Sequence, residues 1–355
     1  MRDDFQLLPP VDIIIPHYRG EEHLERCLRS LANTRYPSMG IVVVDNASQT
    51  PGLQELIERF AGVRLLALPQ NRGYPGGCNA GFSATKAEFL VFMNDDTRHD
   101  PNWLEPLVTA ARRDGCIAAL QPKILSLREF EQGNNRFDYA GAAGGMLDRL
   151  GYPWCYGRTF SGVETDNGRY DTPRNIFWAS GVAMFVRRSV FEELGGFDDS
   201  FFMHMEEIDL SWRMQLSGYT VRSVPSSVVY HEGASSLAYG SPEKTYYNHR
   251  NNLRMMLRNM SVGSLMVAFS ARLLLEPAAA LFYLTKGRRG YRNAFAVLKA
   301  LRDFLMELPE TLRTRTRVQA LRKRTDKALF KGLPFSIFYP WRKSFFNHAG
   351  QDGLC

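Results

Sequence analysis

Four short apolar runs, at residues 11–15, 41–44, 63–68 and 89–93, punctuate the first 120 residues, and the stretches between them turn helical. Short apolar runs bounded by turn formers read as strands buried on both faces. Residues 21–33 place Leu24, Cys27, Leu28 and Leu31 on one helical face. Thr50-Pro51-Gly52 marks a second helix start, and Asp100-Pro101 a further one, an acidic cap with proline in the first turn. Residues 71–77 read as a Gly/Pro-rich loop leading into a short helix. Strands alternating with helices require crossover connections, so the expected core is an α/β, Rossmann-like, mostly parallel sheet. Such sheets bind ligands beyond the C-terminal ends of their strands. Three of the four ends carry polar, loop-forming residues: Pro16-His17-Tyr18, Asp45-Asn46 and Asn94-Asp95-Asp96.

From residue 125 to 235 the pattern is mixed. Residues 137–147 are Gly-rich and hairpin-like, 182–186 read as a strand, 189–194 and 206–216 as helices, and 219–230 as one or two strands. Beyond 242 the chain reads as helical throughout. The expected organisation is a catalytic domain over 1–240, with halves 1–120 and 121–240, followed by a basic helical region over 241–355. Hydrophobic residues make up 45% and charged residues 23% of the 355, which excludes a disordered chain, a fibrous repeat and a polytopic membrane protein. The five cysteines are scattered and never at C-x-x-C spacing, against a zinc ribbon or a disulfide framework and in favour of a reducing compartment. The opening MRDDFQLLPP has no apolar h-region, so no secretory signal is expected.

The net charge of +7 is unevenly spread. Residues 1–285 carry 28 basic and 32 acidic side chains; residues 286–343 carry 16 and 4. That asymmetry points the tail toward an anionic partner, a phospholipid surface or nucleic acid, although a solvated helical face has the same composition. Residues 261–284 are apolar, but Arg272, Glu276 and Pro277 interrupt them, and neither uninterrupted part reaches the ~20 residues of a span. An amphipathic helix pair at a membrane surface is the expectation, continued by the Leu, Phe and Arg of residues 286–331.

Asn94-Asp95-Asp96 offers clustered hard oxygens after a hydrophobic strand, suited to Mg2+ or Mn2+. A helix-capping turn is the plainer reading, yet Asp100 already supplies that cap. Glu206-Glu207-Ile208-Asp209 also suits a helix start. It follows the apolar run at 201–205, however, and a carboxyl held against apolar groups suits a general base. His231 ends an apolar run; it is usually a structural position, and gains interest beside a metal. Residues 71–77 with Asn79 form a glycine-rich segment before a helix, but neither G-x-G-x-x-G nor a Walker A sequence.

The ordered set Ile-Ile-Ile-Pro-His-Tyr, Val-Val-Val-Asp-Asn-Ala-Ser, Asn-Arg-Gly-Tyr-Pro-Gly-Gly and Phe-Met-Asn-Asp-Asp-Thr closely resembles the family 2 glycosyltransferases, which have the GT-A fold. Ser180-Gly181, Gly195-Gly-Phe-Asp198, the acidic run at 206–209 and Gly218-Tyr219 extend the resemblance over residues 10–260, toward bacterial rhamnosyltransferase-like members. It implies a donor-nucleotide pocket at Pro16, Tyr18, Asp45, Asn71 and Asp95. It implies metal ligands at Asp96, Asn94 and His231, a catalytic base at Glu207, and an acceptor side at Trp178, Ser180, Gly181 and Glu206. Two departures accompany it: glutamate stands where the family more often has an aspartate base, and Asn94 is a neutral first ligand. No Gln-x-x-Arg-Trp segment is present, implying transfer of a single sugar.

The resulting expectation is an inverting, metal-dependent transfer of one sugar from a nucleoside diphosphate donor to an acceptor hydroxyl of a lipid-linked glycan. It would take place at the inner face of the cell membrane, with no nucleic acid involved. A nucleotide-binding oxidoreductase would show G-x-G-x-x-G after its first strand, where this chain has Pro16-His-Tyr-Arg-Gly20. A non-catalytic nucleotide-binding membrane adaptor would account for the tail and leave the carboxylates without a role.

Overall fold

The computed structural model describes residues 8–159, 162–233 and 240–336. The alternating first part comprises β1 (Val11–His17), α1 (Glu21–Leu31), β2 (Met39–Asp45), α2 (Leu53–Glu58), β3 (Val63–Ala67), α3 (Gly73–Ser83) and β4 (Phe89–Met93). Then come β5 (Thr97–His99), α4 (Leu104–Arg113), β6 (Ile117–Ser126) and α5 (Leu127–Glu131). Short strands β7 (Gly145–Leu147), β8 (Pro153–Cys155), β9 (Arg158–Thr159), β10 (Gly162–Val163) and β11 (Arg174–Asn175) occupy the middle. Strand β12 (Ala183–Arg187), α6 (Arg188–Glu193), α7 (Glu206–Leu216) and β13 (Thr220–His231) follow. The chain continues through α8 (Pro242–Asn259), α9 (Val262–Leu284), α10 (Gly287–Met306), α11 (Leu308–Ala320) and α12 (Asp326–Leu329).

The pleat of β1 sends alternate residues to two cores. Ile13 and Ile15 join Leu24, Cys27 and Leu28 of α1 and Trp103, Leu104 and Leu107 near α4. Ile14 joins Val42, Val44, Cys78 of α3 and the α6 and α7 residues Phe191, Leu210 and Trp212 on the other side. The result is a sheet between helical layers. Its strand order is β11-β13-β6-β12-β4-β1-β2-β3, with β5 added against β13. Pairs β1–β2, β1–β4, β2–β3 and β6–β13 are parallel, whereas β12 runs antiparallel to both β4 and β6. This is the expected mixed, mostly parallel sheet with a helical region after it.

Three local expectations are corrected or sharpened. The segment at 71–77 is no loop beyond Arg72, because α3 starts at Gly73 and contains its glycines. They allow close approach to the sheet: a Cβ on Gly81 would stand 2.3 Å from Ile14 Cγ2, and one on Gly77 3.0 Å from Pro16 Cβ. Residues 220–231 form one strand, its register shifted between Val224 and Val228 around Pro225, which lets β13 continue to His231. The apolar stretch at 262–284 is one continuous helix rather than an interrupted pair. It is the one helix among the described residues long and apolar enough to cross a membrane.

Its two charges explain how α9 stays unbroken. Arg272 Nε donates to Glu276 Oε1 at 2.6 Å one turn away, and both side chains are buried against the domain. Arg272 also donates to Leu150 O and Asn252 Oδ1, while Glu276 meets His249 of α8 at 2.5 Å. The charged face is thereby turned inward. The opposite face leaves Met266, Val267, Leu273, Leu274, Leu281 and Phe282 more than half exposed, and α10 adds Tyr291, Phe295, Leu298, Leu305 and Met306.

Candidate active site

Parallel register brings His17 and Asp45 side by side at the ends of β1 and β2, with Asn94-Asp95-Asp96 following β4 on the same edge. Tyr18 is exposed at this mouth, and Pro16 and Asp45 are half-buried. Asp45 Oδ1 accepts from the Ser48 N–H at 2.8 Å, fixing the turn after β2. Asn71 Oδ1 accepts from the Gly73 N–H at 2.8 Å. Asn46, which the sequence reading named only as a loop former, ties the two together. Its Oδ1 accepts from the Arg72 N–H at 2.8 Å and its Nδ2 donates to Gly73 O at 2.9 Å. The residues expected in the donor pocket thus share one edge. Asp95 is held there by buried His17, Nδ1 to Oδ2 at 2.7 Å, and burial raises its carboxyl above the usual range.

The end of β13 delivers His231 to the same place, since it pairs with Thr97 of β5. Its Nε2 lies 3.2 Å from Asp96 Oδ1 and 3.3 Å from Asn94 Nδ2, and its Nδ1 lies 2.9 Å from Asp138 Oδ1. Asp138 was not foreseen. A carboxylate on one ring nitrogen fixes the tautomer and presents the other, the usual arrangement behind a metal-bound imidazole. Burial opposes a charge on His231, but the carboxylates of Asp96 and Asp138 outweigh it and raise the imidazole to about 10. The two carboxylates thus favour positive charge at Nε2, where a metal ion could take the place of the proton. The donor set of Asp96 oxygen, His231 Nε2 and a turnable Asn94 amide fits Mg2+ or Mn2+. Among the described residues no cluster of three His, Cys, Asp or Glu side chains makes a ready cage. An ion here would share its coordination with ligand oxygens and water.

Opposite stands the start of α7. Its N-cap, Met205, is left-handed and gives no side-chain cap, so the first N–H groups turn to the carboxyls of Glu206 and Glu207. Burial raises both: Glu207 to about 7, and Glu206 well above the carboxylate range, with the charge of Glu207 adding to the second. One oxygen of each, Oε2, is buried without a hydrogen-bond partner. Tyr74 of α3 and Cys155 of β8 face the pair, and burial raises the tyrosine well above its usual value and the thiol to about 11. Cys155 feels the charges of both Glu207 and Asp138, so the carboxyl pair and the histidine cluster lie within electrostatic reach of one buried side chain. Asp209 is engaged elsewhere, by Arg213 Nε at 2.8 Å and Asn259 Nδ2 at 2.8 Å.

Two residues expected on the acceptor side are buried and bonded within the fold. Trp178 is 5% exposed; its Nε1 donates to Met146 O and its ring fills the space a side chain on Gly145 would need. Ser180 is 3% exposed, its Oγ donating to Ala140 O and its N–H to Gln121 Oε1. Gly181 remains near the site, where its carbonyl accepts from Tyr74 Oη at 2.7 Å.

The family model described as Glycosyl transferase family 2 matches residues 12–195, just over half of the chain and the part that carries most of these side chains. The chain belongs to glycosyl transferase family 2. This family 2 glycosyltransferase is 32% identical over 245 residues to the O-antigen biosynthesis protein RfbC of Myxococcus xanthus, covering 67% of the chain but only 18% of that longer protein. It is 30% identical over 235 residues to the N-acetylglucosaminyl-diphospho-decaprenol L-rhamnosyltransferase of Mycobacterium tuberculosis, covering 63% of the chain and 76% of that protein. Its GT-A fold is matched by GalNAc-T7 solved with UDP, GalNAc and Mn2+, at TM-score 0.58 and 17% identity over 84% of this chain and 55% of that one. A second match is the mannosyltransferase PcManGT of Pyrobaculum calidifontis solved with GDP-Man and Mn2+. Its TM-score is 0.51 at 17% identity, over 89% and 85% of the two chains.

Proposed function

We propose that this family 2 glycosyltransferase moves one sugar, with inversion, from a nucleoside diphosphate sugar to a hydroxyl of a lipid-linked bacterial surface glycan. The observation that carries the reading is the convergence of Asp96 and Asn94 on His231 Nε2, with Asp138 behind its Nδ1, together with the buried carboxyl of Glu207 at the head of α7. Asp96, His231 and Asn94 would hold a divalent ion, which when bound would offset negative charge on the departing diphosphate. Pro16, Tyr18, Asp45, Asn71 and Asp95 would line the nucleotide. Glu207 takes the proton of the acceptor hydroxyl at its Oε2 as that oxygen attacks the anomeric carbon from the face opposite the diphosphate. Glu206, the more strongly raised partner, keeps its proton and lets Glu207 carry the single charge. The relatives whose names mention O-antigen synthesis and a decaprenol-linked acceptor support a polyprenyl-linked substrate class.

The helical region supports work at the inner membrane surface. With Arg272 and Glu276 locked into the domain, a spanning α9 would have to tear that network apart and carry both charges into hydrocarbon. Lying flat, α9 and α10 bury their exposed apolar side chains and keep the network intact.

The test is consumption of UDP-, GDP- and dTDP-sugars in the presence of Mn2+ and a polyprenyl diphosphate-linked acceptor. One donor should be consumed with stoichiometric sugar transfer, and both excess chelator and Asp96→Ala should abolish it. Full turnover in chelator with Asp96→Ala still active would remove the metal site. Donor binding without turnover for any acceptor would make the protein an adaptor.

A further inference from the structure

The first turn of α7 has no side-chain cap, so its direction depends on the segment before it. That segment is under strain. Phe202, His204 and Met205 have φ of +62°, +66° and +75°, a strained region that side chains beyond glycine rarely adopt. Such a turn persists only where its surroundings impose it.

The surroundings are side chains of α8, Asn251 foremost, with Arg250 and Arg254 on Ser200 O. Asn251 is fully buried, and its Nδ2 faces three carbonyls of the turn: Phe201 O at 3.0 Å, Met203 O at 2.7 Å and His204 O at 2.8 Å. Arg250 Nε donates to Asn251 Oδ1 at 3.0 Å, which settles which end of the amide points at the turn. The guanidinium of Arg250 itself reaches Ser200 O and Phe201 O. From the other side the backbone of α3 contributes, Tyr74 N–H to Phe202 O at 2.9 Å. The adjacent Asn252 faces elsewhere, donating to Gly151 O at 2.6 Å and accepting from Arg272.

We propose that Asn251 is a positioning residue for the Glu206–Glu207 pair: its amide gathers the carbonyls at 201–204, imposes the left-handed turn, and so aims the carboxyls at the head of α7 into the site. The proposal rests on the reading of Glu207 as the base. It assigns a catalytic consequence to the helical region, which the family match at 12–195 does not include.

The experiment compares Asn251→Ala with Asn252→Ala in the full chain, by steady-state sugar transfer and by donor affinity with Mn2+. Misplacement of a reacting group by about 1 Å can cost about 100-fold. Asn251→Ala is therefore expected to lower kcat 10- to 100-fold, leave the donor KM and affinity within twofold, and displace the acid limb of the kcat–pH profile. Among the described residues Glu206, Tyr74 and Cys155 are the titratable groups facing Glu207; burial raises all three, and Glu207, raised to about 7, is the group that limb reports. Asn252→Ala should lower the unfolding temperature while keeping kcat within threefold and the limb in place. A folded Asn251→Ala with kcat within threefold and an unmoved limb overturns the proposal, as does a loss that falls on donor affinity. Should Asn251→Ala fail to fold, Asn251→Ser retains one short donor and is expected to fold with a 3- to 10-fold loss in kcat and a displaced limb; a folded serine variant matching wild type overturns it equally. A wild-type protein that transfers no sugar fails the functional reading, which is a different result from any of these.

Discussion

Two carboxyl groups at the head of α7 cannot both ionise in a buried setting, and the division of labour between them follows from which is raised further. Glu207→Gln keeps the shape and removes the proton acceptor, so kcat is expected to fall about 10²–10⁴-fold, with donor affinity nearly unchanged. In wild type kcat should rise with pH through about 7, as Glu207 loses its proton. Stability runs the other way. A carboxyl raised above its unfolded value of 4.5 binds its proton more tightly when folded, so its contribution is present below 4.5 and is lost as pH climbs through about 7. Glu207→Gln should therefore melt above wild type at pH 8, with the gap closing toward pH 5, by differential scanning fluorimetry. Near wild-type turnover in Glu207→Gln, with Glu206→Gln inactive, would transfer the role to Glu206. The acids and His231 were legible because each interrupts an apolar run. Asp138 was not, since it lies 93 residues from the histidine it orients and sits in the Gly-rich stretch at 137–147, where a polar residue interrupts no apolar run. For Trp178 and Ser180 the motif was visible, but their burial was not.

At the scale of elements, α3 shows where local propensity yields to packing. Glycine and proline at 73–77 favour a loop by every local criterion, yet the segment is helical because only small residues let a helix sit this close to β1 and β2. Gly81→Ala would gain roughly 1 kcal/mol in helix propensity. It would also drive a methyl group against Ile14 and Val44, 2.3 Å and 3.0 Å away, at an overpacking cost of about 1–3 kcal/mol. A net loss is expected, read as a lower urea midpoint with an unchanged slope; a midpoint above wild type would mean that α3 can retreat from the sheet. The buried strands were legible for the complementary reason. Both faces of β1, β2 and β4 meet a core, so their sequences are apolar apart from Asp12 near the start of β1, and polar residues mark each end. The continuity of α9 was hidden because its two charges pair one turn apart, a feature that composition counts as interruption.

Over the whole molecule, the tail is less free than its charge suggests. Arg315 donates to Leu257 O and Met260 O, Arg322 to Asn259 O and Asp326, and Arg324 to Gly218 O and Tyr219 O; all three brace the ends of α7 and α8. Part of the basic block, residues 337–343, lies outside the described residues. Exposed cations such as Lys286, Arg292 and Arg317 remain beside the apolar face of α9 and α10. Each contributes on the order of 1 kcal/mol near an anionic surface and is screened by salt, whereas apolar burial is not. The protein should sediment with acidic liposomes and be released only partly by high salt. Leu273→Glu with Leu274→Glu should weaken that binding while sparing donor consumption with a short soluble acceptor. A full-length protein that ignores acidic liposomes but binds nucleic acid tightly would give the helical region another partner.

The way β13 closes the sheet also bears on how the protein is made. Asn94 and His231 meet although 137 residues separate them, and the turn before Glu206 takes its shape from a side chain on a helix that is synthesised later still. Contacts this distant in the chain form late and slowly. A ribosome that has released the whole parallel core has therefore not yet released a working site. Only when α8 has emerged can the histidine cluster and the carboxyl pair coexist, so a nascent chain cannot complete the candidate site before its helical region begins to follow.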